Sequence, residues 1–222
     1  MDVKSVIFDF DGTIANSFAA TLRIANALAP TFGYRPAGLE EVEVMRGWTY
    51  RQIAAELGVP WHKIPIIAAR IRKELSANIA QLETFDGLPS VLTELHTRGF
   101  GLGILTSNSK ANVERFLAAR GLKQFQFVST SASVWGKKRR LEALLRSHRL
   151  HAGEVAYVGD EVRDIEATKP LAIRMIAVGW GYAAPAALAA HSPDHLINDP
   201  SELLDILAQR NASISASPVS GI

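Results

Sequence analysis

Apolar residues follow two different rhythms along the chain. Residues 3–10 form a nearly continuous apolar run that ends in Asp-Gly-Thr, the pattern of a strand buried on both faces. From there to about residue 84 no convincing strand occurs. Phe18, Leu22, Ala25, Ala29 and Phe32 recur at helical spacing, and Thr49-x-x-Gln52 has the form of a capping box ahead of Tyr50, Ile53, Ala54 and Leu57. Ile64, Ala68, Ile71, Leu75 and Ile79 stay in phase over about 61–82. Pro65 either kinks that segment or opens a helix of its own.

From Phe85 onward the pattern alternates. Strands are predicted at 101–106, 125–129, 154–158, 174–178 and 195–197. Helices are predicted between Pro89 and Gly99, and at 110–120, 138–148, 162–168 and 201–209. This alternation predicts an α/β fold, a Rossmann-like open parallel sheet with helices on both faces. A small all-helical segment interrupts it. The expected organisation is a discontinuous core at 1–14 and 88–210, a helical insert with its hinges at 15–87, and a frayed, disordered tail at 211–222. The hinges are expected near 15–17 and 84–87.

Composition narrows the field. The 222 residues are 48% hydrophobic and 21% charged, an ordinary globular balance that rules out a disordered, collagenous or coiled-coil chain as a whole. No cysteine is present, which excludes disulfide frameworks, thiolate metal sites and a cysteine nucleophile. The net charge is only +2, so no nucleic-acid partner is expected. The longest uncharged stretch, 175–190, has 16 residues and contains Gly179, Gly181 and Pro185. It falls short of a spanning helix, so a cytoplasmic protein without a membrane partner is expected. The oligomeric state is left open.

The candidate chemistry lies at strand ends. Asp9-Phe10-Asp11-Gly12-Thr13 follows the first strand, at the sheet edge where ligands bind in open parallel folds. Two positions apart on extended backbone, Asp9 and Asp11 are expected to project together. Their repulsion is relieved by a hard divalent cation, Mg²⁺, held by oxygen ligands. Alone, Asp-x-Asp-Gly is equally a plain turn. A second strand, however, ends in Gly159-Asp160-Glu161-x-x-Asp164. A third ends in Thr106-Ser107-Asn108-Ser109, where hydroxyls and amides entering a helix suit phosphate oxygens. Gly136-Lys137-Lys138-Arg139-Arg140 precedes another helix, and one lysine there would balance the aspartates and a phosphate.

These four elements, in this order, resemble the haloacid dehalogenase superfamily of phosphatases, over about residues 3–207. The pattern is most similar to that of the phosphoglycolate phosphatases. The resemblance implies that Asp9 is the nucleophile and Asp11 the general acid/base. Ser107, with Asn108, binds phosphate, and Lys137, preferred to Lys138 because it follows Gly136, stabilises charge. The implied Mg²⁺ set is Asp9, Asp11 and Asp160, with Asp164 behind it. The insert is similar to the family's helical cap. Arg46 or Arg51, at a break between its helices, could grip a second anionic group of the substrate; a surface arginine is the plainer reading of either. Asp11 argues against a dehalogenase. Thr168-Lys169-Pro170-Leu171-Ala172 departs from the family, whose members commonly end this helix with Ala and Gly. The implied activity is hydrolysis of a small phosphorylated metabolite such as phosphoglycolate. A sugar-phosphate mutase of the same superfamily, and a receiver-like phospho-accepting domain without turnover, stay open as alternatives.

Overall fold

The computed structural model describes residues 2–130 and 136–208; the expected tail lies outside them. Six strands form one parallel sheet: β1 (Ser5–Phe8), β2 (Gly101–Thr106), β3 (Phe125–Thr130), β4 (Val155–Gly159), β5 (Arg174–Val178) and β6 (His195–Ile197). Their order is β3-β2-β1-β4-β5-β6. The chain steps outward from β1 to β3, then returns to the other side of β1. The sheet therefore reverses direction between β1 and β4, where Phe8 pairs with Val158. Ligands of open α/β sheets bind at such a reversal, outside the carboxyl ends of the strands.

Strand alternation sorts the core into two layers. Val6, Phe8, Leu102, Ile104, Ala156, Val158, Ile176 and Val178 face helices α5 (Leu88–Thr97), α6 (Lys110–Ala119) and α10 (Glu202–Ala208). Ile7, Leu105, Val155, Tyr157, Met175 and Ala177 face α7 (Lys137–Ser147), α8 (Val162–Thr168) and α9 (Pro185–Ala190). Helices cover both faces, as the near-continuous apolar strands require. The first strand is shorter than the apolar run: it ends at Phe8, and Asp11 already lies in a turn that bridges to Ala15. Asp9 still continues the strand, its amide donating to the Val158 carbonyl at 2.8 Å, whereas Asp11 is placed by the turn.

Between β1 and α5 the described chain is helical: α1 (Phe18–Phe32), α2 (Leu39–Met45), α3 (Tyr50–Glu56) and α4 (Ile64–Asn78), with short 3₁₀ turns. Pro65 lies in the first turn of α4, so it opens a helix, with Trp61–Lys63 as a separate turn before it. The Thr49 capping box forms, its amide donating to Gln52 Oε1 at 2.8 Å. The insert has its own small core of Ala37, Val42, Met45 and Leu57, against which Phe18 and Leu22 pack. Its two connections to the sheet run side by side, joined by an Ala15–Thr84 bridge and a 2.9 Å bond from the Asn16 amide to the Glu83 carbonyl. Two short helices, α2 and α9, escaped the periodicity reading.

Candidate active site

Asp9 leaves the end of β1 with only 3% of its surface exposed. The Phe10 amide donates to its Oδ1 at 2.8 Å, and Lys137 Nζ donates to Oδ2 at 2.5 Å. Lys137 opens α7 behind Gly136, whose positive φ of 79° turns the chain into the helix. It also bonds Asp164 and lies 5.1 Å from the centre of the Tyr157 ring. The neighbouring Lys138 is exposed and reaches Glu142. Of the two lysines, Lys137 is the one in the site.

Asp160 follows β4 and is fully buried. Thr13 Oγ1 donates to its Oδ1 at 2.6 Å, and the Tyr182 amide donates to Oδ2 at 2.8 Å. Gly12 and Gly181 press against this carboxylate so closely that a Cβ at either would overlap it. Asp164, one turn into α8, is also fully buried, and its Oδ2 accepts from the Glu161 amide at 3.1 Å. One carboxylate oxygen from each of Asp9, Asp160 and Asp164 lies within 4.8 Å of the others. The sequence reading put Asp11 among the metal ligands and Asp164 behind them. The structure groups them differently: the Asp164 carboxylate joins the close set, and the Asp11 side chain stands outside it. Asp11 instead accepts from Asn108 Nδ2 at 3.0 Å.

The carboxylates are held in different charge states. Burial pushes Asp9 upward, but the Lys137 and Arg163 charges and the Phe10 amide overcome it and hold its pKa below the usual value. Asp11 is pushed up to about 6, by burial and then by the Asp9 charge. Asp164 also rises to about 6, as burial, with Asp9 and Glu161, outweighs Lys137. Asp160 is raised well above its usual value through burial and the charges of Glu161, Asp9 and Asp164. Lys137 stays charged: burial opposes its charge, but Asp164 and Asp9 raise its pKa. With all three ionised, the carboxylates exceed the one lysine by two negative charges. Hard oxygen donors in a buried cluster with that excess fit a divalent cation.

At the end of β2, Ser107 is half-buried and its hydroxyl has no hydrogen-bond partner among the described residues. Asn108 is buried and Ser109 caps α6, accepting from the Asn112 amide. Asn108 does more than sequence suggested, because its amide group holds Asp11 while its Oδ1 accepts from Asn112 Nδ2 at 3.0 Å.

Arg46 and Arg51 are engaged elsewhere. Arg46 donates to the carbonyls of Gly181 at 2.9 Å and Tyr182 at 3.2 Å, and pairs with Glu43 at 3.0 Å. It ties the insert to the loop that carries the Tyr182 amide. Arg51 lies over the Trp61 ring, inside the insert. Neither is placed as a free anion grip. Tyr182 was missed altogether. Its hydroxyl donates to Thr21 Oγ1 at 2.8 Å and lies 3.1 Å from Ser17 Oγ. Its signal was present: Gly179-x-Gly181 follows β5 at the same edge of the sheet that delivers every other site residue.

Residues 6–178 match the haloacid dehalogenase-like hydrolase family; the chain belongs to that family. It is 36% identical over 209 residues to phosphoglycolate phosphatase of Synechococcus elongatus, covering 93% of this chain and 98% of that protein. It is 27% identical over 220 residues to pyrophosphatase PpaX of Bacillus cereus, covering 96% and 100%. A haloacid dehalogenase-like hydrolase of Streptococcus pneumoniae superposes with a TM-score of 0.76 at 20% identity, covering 92% of this chain and 98% of its own. Membership of a hydrolase family removes the receiver-like alternative. No helix among the described residues is long and apolar enough to cross a membrane.

Proposed function

We propose that this protein is a Mg²⁺-dependent phosphatase of small phosphomonoesters, with phosphoglycolate as leading substrate. The observation that carries the proposal is the opposite treatment of Asp9 and Asp11, one held ionised by Lys137 and the other raised to about 6 beside Asn108. Asp9 then attacks phosphorus and forms an aspartyl-phosphate as the alcohol leaves, splitting a slow hydrolysis into two easier displacements. Protonated Asp11 donates to the leaving oxygen. Ionised, it accepts a proton from the water that attacks the aspartyl-phosphate. A pKa near 6 serves both halves. Lys137 and the amides after Ser107 stabilise charge on the transferring group. Asp9, Asp160 and Asp164 would hold Mg²⁺, which supplies charge neutralisation on the phosphoryl oxygens. Residues 15–87 serve as a cap that closes over the site, turning on paired hinges at 15–17 and 84–87.

The test is release of inorganic phosphate from phosphoglycolate and p-nitrophenyl phosphate, with Mg²⁺ and with a chelator. Turnover is expected only with the metal, and is expected to vanish in Asp9→Asn. Undiminished turnover by Asp9→Asn would sink the nucleophile assignment. Conversion of a sugar phosphate to its isomer without phosphate release would instead identify a mutase.

A further inference from the structure

We propose that Arg72 selects phosphomonoesters whose far end carries a carboxylate, acting from the insert as the counter-charge to that group. This deepens the phosphatase reading and rests on it. Arg72 lies on α4 and is half-buried. A chain of contacts places it at the site. Its backbone carbonyl accepts from Asn112 Nδ2 at 3.3 Å, the same nitrogen donates to Asn108 Oδ1 at 3.0 Å, and Asn108 Nδ2 donates to Asp11 Oδ2 at 3.0 Å. Burial lowers the pKa of the Arg72 guanidinium, partly offset by the charge of Asp11.

What distinguishes Arg72 is that it is half-buried and yet lacks a partner; Arg23, which also lacks one, is exposed. Elsewhere in the insert Arg35 pairs with Glu41, Arg46 with Glu43 and two carbonyls, Arg70 with Glu74, and Arg51 stacks on Trp61. The Arg72 side chain forms no hydrogen bond or ion pair with any described residue. A half-buried guanidinium that has lost water without gaining an acceptor favours an arriving anion. The phosphoryl end of the substrate falls to Lys137 and the Ser107 amides. The distal end is left for Arg72, whose planar fork of donors matches a carboxylate.

The experiment compares phosphoglycolate with hydroxyethyl phosphate, which differs only in bearing a hydroxymethyl group where the first has its carboxylate. Wild-type protein is expected to favour phosphoglycolate in kcat/KM by about tenfold or more, the scale of a charge-assisted contact. Arg72→Gln is expected to lose that preference, chiefly through a higher KM, with little change on hydroxyethyl phosphate and an unchanged melting temperature. Arg72→Lys is expected to restore part of it. A preference that survives Arg72→Gln overturns the proposal, as does an equal fall on both esters, which marks a structural role. A wild type that hydrolyses both esters equally also overturns it and leaves the phosphatase reading standing. Failure to release phosphate from either ester or from p-nitrophenyl phosphate overturns both.

Discussion

Asp9 and Asp11 are two positions apart in the chain, yet their surroundings shift them in opposite directions. Lys137 outweighs burial and holds Asp9 below its usual value, while burial and the Asp9 charge raise Asp11 to about 6. Asp11→Asn keeps the shape and the Asn108 contact but cannot donate or accept the proton. It is expected to lower kcat by about 10²–10⁴-fold, the usual worth of general acid/base catalysis, while leaving the fold intact. Steady-state kinetics with a melting curve check this. A second prediction concerns Ala172, where the chain leaves the turn after α8 with φ of 54°. An L-residue in the left-handed region costs about 1–2 kcal/mol, and glycine gives back about 0.5–1 kcal/mol through the freedom of its unfolded chain. Ala172→Gly is therefore expected to stabilise the protein by about 0.5 kcal/mol, raising Tm by about 1–2 °C. Calorimetry reads that shift. The departure from the family's Ala and Gly is thus a strained helix exit.

Among the elements, the loop after β5 links the insert to the sheet. Arg46 at the end of α2 holds the Gly181 and Tyr182 carbonyls, and the Ala184 amide donates back to the Arg46 carbonyl at 2.8 Å. The same loop presents the Tyr182 amide to Asp160. Arg46→Ala removes both side-chain bonds. Losing about 1.4 kcal/mol of local stability is expected to speed amide exchange at Tyr182 and across α2 by about tenfold, with α5 and α6 unchanged. Hydrogen-exchange mass spectrometry tests this, and uniform exchange across the sheet would contradict it. The long elements were legible because each repeats its apolar period several times. The seven-residue α2 and six-residue α9 repeat theirs too few times to stand out. Their signals were local instead: Glu41 bonding back to the Gly38 amide, and Pro185 in the first turn.

For the molecule as a whole, the buried acids make stability depend on pH and on metal. Asp11 and Asp164 have folded pKa values of about 6, above the unfolded value near 3.9. Between those values the folded protein binds more protons than the unfolded chain, so stability rises as pH falls through 6. Asp9, held low, and Lys137, held high, titrate outside this window. Chelator-treated protein is therefore expected to melt higher at about pH 5.5 than at about pH 7.5. Mg²⁺ at about 100-fold over its Kd adds about 2.7 kcal/mol. Its effect on Tm is expected to be larger at the higher pH, where the carboxylates are ionised. Scanning calorimetry at both pH values checks the sign. An apo protein that melts lower at the acidic pH would contradict the balance of charges described for the cluster.

Which polar side chains stand at the sheet edge was decided by the sequence alone. Apolar runs long enough to be buried strands are followed directly by Asp9, Ser107 and Asp160, and the backbone's period of two leaves little freedom in how such runs pack. Lys137, by contrast, was only one of two neighbours until α7 turned it inward and left Lys138 in solvent. The ligand grouping of Asp164, the second task of Asn108, the Tyr182 amide and the engagement of Arg46 all came from tertiary structure. So did the unpartnered state of Arg72. Each depends on contacts between residues far apart in the chain, whose distances are set by packing, and no local pattern of residues encodes those.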